Sequence, residues 1–319
     1  MNSRQHQVFS WVIFLPLMAF ISYYFFLLAS NISNDFPEYT ALADRLRGEP
    51  LSSSLSRELT EPFYLITFWV LSNIFTAETV VLMVGFIPLV FKSLIIKEYA
   101  YYPFIALFFY FGTFLSLHDA NQIRLAAACV PILYTLMVLK NLTNTRIIFL
   151  SLAATAFHYT GILLLILLFK NRKYLALSLI TLGSFLFIPV FEYIETINES
   201  FKIFNRYTSQ SDGLGLTSPY FLLHVIAAIS SLFLWESLND FQKRGSLFLA
   251  MGALAFILFQ TLDVLAVRIR ELGYLGIIPL IFSSKIKLTI PWIAIITSAL
   301  LVFLLFIYET WTELLSYMI

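Results

Sequence analysis

The stretch "KNLTNTRIIFLSLAATAFHYTGILLLILLFKNRK", Lys140 to Lys173, sets basic residues at both ends of a single apolar run, 147–169. The run is long enough to cross a bilayer, for which about 20 apolar residues suffice. Lys and Arg gather in the short cytoplasmic turns of membrane proteins. One ordinary span cannot start and finish on the same side. Either one basic turn lies outside, since the charge rule is a bias, or the run is a re-entrant hairpin of two short helices. The hairpin would turn near "FHYTG", at His158, Tyr159 and Gly161. Irregular backbone at membrane depth must be covered by protein or a watery cavity, because lipid offers no hydrogen bonds. The hairpin is the preferred reading.

The rest of the chain belongs to the same class. Of 319 residues, 60% are hydrophobic and 12% charged, with 33 Phe and 17 Tyr. Soluble domains carry about 25% charged residues. Candidate spans are 8–29, 62–77, 78–96, 100–117, 122–139, 147–169, 174–194, 219–237, 246–262, 272–283 and 288–308. A β-barrel would alternate apolar and polar residues, and these runs do not. The expected fold is an all-α polytopic membrane protein, a single integral domain over 1–319 with about 10–11 hydrophobic segments. Region 62–91 poses a puzzle like that of the hairpin, being interrupted at "SNIFTAET". The first apolar run, about 22 residues after Arg4, exceeds the roughly 7–15 of a signal-peptide core and reads as a span that stays in place.

Several function classes drop out. A net charge of +1 leaves no footprint for nucleic acid. The single Cys129 excludes an internal disulfide and a Cys-based zinc site. The chain has no Walker A motif, dinucleotide fingerprint or His-Glu-x-x-His. No metal and no cofactor is expected.

Basic turns orient the chain. Lys92 and Lys97, Lys140 and Arg146, Lys170 to Lys173, Lys243 and Arg244, and Lys285 and Lys287 go to the cytoplasmic side with Arg4 and the N-terminus. The segments left for the outward loops are 30–61, 118–124, 195–219 and 263–271. They hold most of the mixed polar chemistry, as functional loops do.

Candidate residues follow from those segments. "HDANQIR" packs His118, Asp119, Asn121, Gln122 and Arg124 together. The bland reading is a capped helix end with a snorkelling arginine. The functional one is an anion pocket, since a guanidinium is a paired donor that stays charged and is expensive to hold within a bilayer. His158 reads either as a packing or helix-bridging residue or as a proton acceptor or phosphate ligand. Asp35, Tyr39 and Glu61 bracket the first loop, where a carboxylate could act as general base if it reached the acceptor hydroxyl. Arg206 and Tyr207 are ligand candidates on what is otherwise a plain connector. Asp263, Arg268, Arg270 and Glu271 offer either a structural ion pair or further anion contacts.

Taken in order, "NDFPEY", "TEPFYLI", "NQIRLAAA", "FHYTGILLL", "NRYTS" and "VRIRELGY" resemble the EpsG family of bacterial polysaccharide membrane proteins, grouped with Wzy-type O-antigen and capsule polymerases. The resemblance runs from about Asp35 to Tyr274. It points to Asp35, Tyr39, Glu61, Gln122, Arg124, His158, Arg206, Tyr207 and Arg268. The family's His-Tyr-Ser is His158-Tyr159-Thr160 here. Its Glu-Pro-Gly-Phe is Glu61-Pro62-Phe63, without the glycine, and Arg268 and Arg270 compete for the late arginine.

The resemblance implies a polymerase of lipid-linked repeat units. Glycosyl transfer from undecaprenyl diphosphate to the next unit would occur at the outer face of the bacterial cytoplasmic membrane. Arg124, Arg206 and Arg268 or Arg270 would hold the leaving diphosphate. Asp35 or Glu61 would be the base, with His158 the alternative. Tyr39, Tyr159 and Tyr207 would meet sugars, and Gln122 would join the substrate-binding set. His118, Asp119 and Asp263 are secondary candidates. A GT-C-like architecture is an analogy. The implied partners are an undecaprenyl-diphosphate-linked oligosaccharide, the bilayer and a chain-length regulator. The rivals are a polyprenyl-phosphate-sugar glycosyltransferase, an O-antigen ligase and, from another class, a polysaccharide-lipid flippase.

Overall fold

The structure, a computed structural model, describes residues 3–31, 33, 35–58, 60–170, 218–259 and 263–318. The expected span 174–194 and most of the expected loop 195–219 lie outside the described residues. Among the described residues every regular element is helical and none is a strand. That follows from the composition, since in lipid a helix satisfies its own backbone.

The opening stretch forms a hairpin. A first leg, the α-helix Asn144–Phe157 (α8), stops at His158, and the chain continues as the 3₁₀ helix Tyr159–Phe169. Gly161 N donates to the His158 carbonyl at 2.8 Å, closing the turn. Gly161 packs so tightly that a Cβ there would lie 2.4 Å from the Ala154 carbonyl carbon. Ser151 Oγ donates to the Ile162 carbonyl, and Lys170 Nζ to that of Leu142. As one partner's number falls the other's rises, so the legs are antiparallel and the basic ends meet. At 14 and 11 residues, the legs rise about 21 and 22 Å, short of a hydrocarbon core of about 30 Å.

The chain divides into two compact units. The first comprises 1–131, 152–161 and 303–319, and the second 132–151 and 162–302. The first unit contains α1 (Ser3–Asn31), α2 (Phe36–Leu46), α3 (Leu51–Arg57), α4 (Pro62–Ser72), α5 (Ala77–Tyr99) and α6 (Pro103–Tyr110). The chain leaves α6 as a π-helical stretch, Phe111–Asp119, before α7 (Ile123–Met137).

The expected loop 30–61 is therefore largely helix. Tyr39, Leu42, Ala43 and Leu46 recur at helical spacing along α2, and all are buried. They pack with Tyr64, Leu65 and Phe68 of α4 and Val80 and Val84 of α5. The interruption after α4 is real, and the chain after α2 braces it. Arg47 Nε donates to the Ser72 carbonyl and Nη2 to that of Phe75, each at 3.0 Å. These carbonyls lie at a helix end, where the helix supplies no partner. Thr76 then caps α5 by accepting from Thr79 N.

Two further expectations are corrected in this unit. Lys92 and Lys97 were assigned to a turn, yet both lie inside α5 and both are buried. His118 and Asp119 were assigned to an outward loop, yet they end the π-helical stretch with no exposed surface (0% each). Lys92 and Asp119 are buried together: Lys92 Nζ is ion-paired to Asp119 Oδ1, and Tyr110 Oη donates to Oδ2 at 2.6 Å. A buried charge stays charged only when paired and hydrogen-bonded.

The second unit centres on α10 (Asp240–Leu258), against which pack α9 (Pro219–Phe233), α11 (Asp263–Tyr274) and α12 (Ile277–Phe282). The α10–α11 crossing is close. A Cβ on Gly252 would lie 2.7 Å from the Gly273 Cα, so small residues let the backbones touch. The expected loop 263–271 is thus most of α11, with Arg270 and Glu271 buried. Lys243 and Arg244, expected in a turn, lie in the first turns of α10. Ile290–Met318 forms α13.

Among the described residues, three helical segments are long and apolar enough to cross a membrane: Ala77–Tyr99, Asp240–Leu258 and Ile290–Thr312. Shorter apolar helices, among them α4, α7, α9 and both legs of the hairpin, stand beside them. Several of the 10–11 expected hydrophobic segments, some of them read as broken, thus take the form of helices too short to cross.

Candidate functional site

Glu61 stands immediately before α4, with Pro62 in the first helical position. Its extended backbone keeps the carboxylate off the helix, and the side chain is 2% exposed. Three groups converge on it. Oε2 accepts from Arg124 Nη1 at 3.0 Å and from Thr60 Oγ1 at 2.8 Å. Oε1 accepts from the Tyr159 N–H at 3.3 Å. Arg124 Nη1 also reaches Thr60 Oγ1 at 3.2 Å.

These groups come from three places. Thr60 and Glu61 precede α4, Arg124 sits in the first turn of α7, and Tyr159 is at the hairpin tip. The Arg124 guanidinium carbon lies 5.6 Å from the Tyr64 ring centroid, a cation–π distance. Its side chain keeps 28% of its surface. The Tyr64 hydroxyl is buried and has no hydrogen-bond partner among the described residues.

His158 joins the cluster through the hairpin turn. Thr160 N donates to its Nδ1 at 3.3 Å, and the Thr160 hydroxyl lies 2.7 Å from the same atom. A donor on Nδ1 leaves Nε2 carrying the proton of the neutral ring. Burial by itself would raise the Glu61 carboxyl pKa. The Arg124 charge, then His158 and the hydrogen bonds, outweigh it and hold Glu61 below its ordinary value. Glu61 is therefore an ionised acceptor that anchors Arg124 and the hairpin tip.

Asp35 is drawn toward the start of α7 by its backbone. Asn121 Oδ1 accepts from Asp35 N at 3.4 Å and from Ser33 Oγ at 3.1 Å. Tyr39 lies in the α2 core, its ring 6.1 Å from that of Tyr64. Gln122 is buried, while Tyr159 presents an exposed ring (57%). His118 and Asp119 do not join the Glu61 cluster. His118 packs on Phe114 at 5.3 Å, and Asp119 belongs to the Lys92 pair.

The other sequence candidates fall in the second unit or outside the described residues. Arg268 Nη1 pairs with Glu271 at 3.3 Å and keeps 26% of its side-chain surface. Arg270 is buried, with its guanidinium 5.1 Å over the Phe256 ring and Nη1 without a hydrogen-bond partner among the described residues. Of the two competing arginines, Arg270 is the one with an unsatisfied buried donor. Asp263 begins α11. Arg206 and Tyr207 lie outside the described residues.

Sequence reading missed Lys92 and Tyr110 as buried polar partners. It also missed Thr60 and Tyr64 as neighbours of Arg124. Only Tyr64 and Thr60 carried a signal, since both flank the Glu-Pro pair.

A family model described as EpsG family matches residues 9–318. The chain belongs to the EpsG family. With its apolar helices, that makes it a membrane protein of polysaccharide biosynthesis. Searches of curated proteins and of solved structures matched nothing. In this EpsG-family chain, the arrangement at Glu61 offers a fixed, partly open guanidinium, hydroxyls beside it and an imidazole within electrostatic reach. Such a set can bind an anion and accept a proton.

Proposed function

We propose that this EpsG-family protein is a polymerase of lipid-linked oligosaccharide repeat units, a glycosyltransferase acting at the outer face of the bacterial cytoplasmic membrane. The supporting observation is the meeting of Glu61, Arg124 and the hairpin tip, drawn from positions far apart in the chain. In the reaction, an acceptor hydroxyl of one repeat unit attacks the anomeric carbon of the growing chain. The bond to undecaprenyl diphosphate breaks, and the diphosphate leaves with the electron pair. The energy resides in that bond, so no nucleotide is consumed.

Each residue then has a role. The partly exposed Arg124 meets the leaving diphosphate, where fixed positive charge lowers the barrier. Glu61 is a positioning residue that aims Arg124 and the hairpin tip; its ion pair makes it a weak base. His158 takes the hydroxyl proton at Nδ1, in place of the Thr160 N–H that Nδ1 now accepts, with Asp35 the competing base. The exposed Tyr159 ring stacks on sugar.

The test is complementation of a deletion strain with Arg124→Ala, its membrane level checked by blot. Long polymer should vanish while lipid-linked single repeat units accumulate at the outer face. Normal chain length overturns the assignment. Units trapped at the inner face point to a flippase, and intact lipid-linked polymer that is never passed on points to a ligase.

A further inference from the structure

A second polar site lies in the second unit, among residues that the proposed reaction does not use. Lys140, Lys170, Lys243 and Arg244 line one cleft of about 440 Å³, together with Thr143 and Asp240. They come from three of the basic segments whose charge pattern assigns them to the cytoplasmic surface. Folding therefore gathers cations that the sequence scatters over a hundred positions.

The cleft is built rather than incidental. Arg244 is 2% exposed. Its Nη1 donates to the carbonyls of Thr135 at 3.0 Å and Leu139 at 2.6 Å, and Nη2 to that of Lys140 at 3.3 Å. Its Nε has no hydrogen-bond partner among the described residues. A buried, uncompensated donor is costly to leave unmade. Lys170 Nζ is fixed on the Leu142 carbonyl. The Lys170 ammonium is held below its ordinary pKa, by burial first and by the Arg244 charge second, with Asp240 opposing. Four cations thus face one carboxylate and repel one another. The hairpin leg Asn144–Phe157 and α10 both begin here, so two helix N-termini add positive potential.

We propose that this cleft binds a phosphate group, carried by the headgroup of an anionic phospholipid or free in solution. Cations this close, with an orphan guanidinium N–H and two helix starts, match a phosphate better than a carboxylate because a phosphate offers more acceptor oxygens. Basic pockets between membrane helices at a cytoplasmic surface favour anionic headgroups.

The test uses the full chain in a neutral detergent. Its thermal unfolding is followed during titration with phosphatidylglycerol, phosphatidylcholine or inorganic phosphate. Phosphatidylglycerol should raise the midpoint and phosphatidylcholine should not. In the double variant Lys140→Gln/Lys243→Gln, which leaves the buried Arg244 intact, the rise should shrink by at least half. If inorganic phosphate reproduces the rise, the ligand is the free anion; if phosphatidylglycerol alone does, it is the lipid. An equal rise with phosphatidylcholine, no rise with either phosphate probe, or a rise unchanged in the double variant overturns the site.

Discussion

At the scale of single residues, two ion pairs of different character organise the first unit. Glu61–Arg124 is half open. Its carboxyl pKa is depressed, so its stabilising contribution is complete above the ordinary carboxylate range and is lost only as pH falls through the lower, folded value. Glu61 therefore stays ionised over the neutral range, and an acid limb of activity there belongs to another group, His158 in the proposed reaction. Removing the Glu61 charge destabilises an imidazolium at His158. In Glu61→Gln, the limb in a pH–rate profile should move to lower pH, and the rate should fall on the order of 10²-fold as Arg124 loses its aim. A limb that stays in place would separate His158 from Glu61. Lys92–Asp119 is closed, with both side chains at 0% exposure. Lys92→Met strands a buried carboxylate, which costs about 3–5 kcal/mol. Adding Asp119→Asn should restore much of that, as read by unfolding in detergent. A single variant as stable as the parent would refute the pair.

At the scale of elements, the hairpin was legible because its charges contradicted a single span. Its test is the side from which its two ends are reached. With Cys129 replaced by Ser, cysteines at Asn141 and Lys170 should be labelled by an impermeant thiol reagent from the same side of the membrane. Labelling from opposite sides would restore the single span. The helix α2 was legible in principle through Tyr39, Leu42, Ala43 and Leu46. Asp44, Arg45 and Arg47, set among them, made the segment read as a solvated loop. The pairs that matter most carried no such signal. Lys92 and Asp119 are separated by 27 positions, and Arg124 and Glu61 by 63. Spacing along one helix cannot encode a contact made between helices. The Glu61–Arg124 pair was foreshadowed only as co-occurring motifs, and the Lys92 pair not at all.

At the scale of the whole molecule, three long apolar helical segments among the described residues stand beside shorter helices such as α4, α7 and the hairpin legs. Short helices multiply helix ends, and every end leaves backbone groups to satisfy. The chain answers with arginines: Arg47 serves carbonyls at the end of α4, and Arg244 those at the end of α7. The same shortage of water that penalises an unfilled helix end makes a guanidinium fork a fitting plug for it. The hairpin adds a property of a different kind, one of parity. A segment whose ends return together changes no orientation downstream of it. Residues 144–169 can thus be lengthened, shortened or exchanged during divergence without turning the rest of the protein inside out. A single crossing helix has no such freedom, and variation at the hairpin tip is accordingly the cheapest way to retune the site it carries.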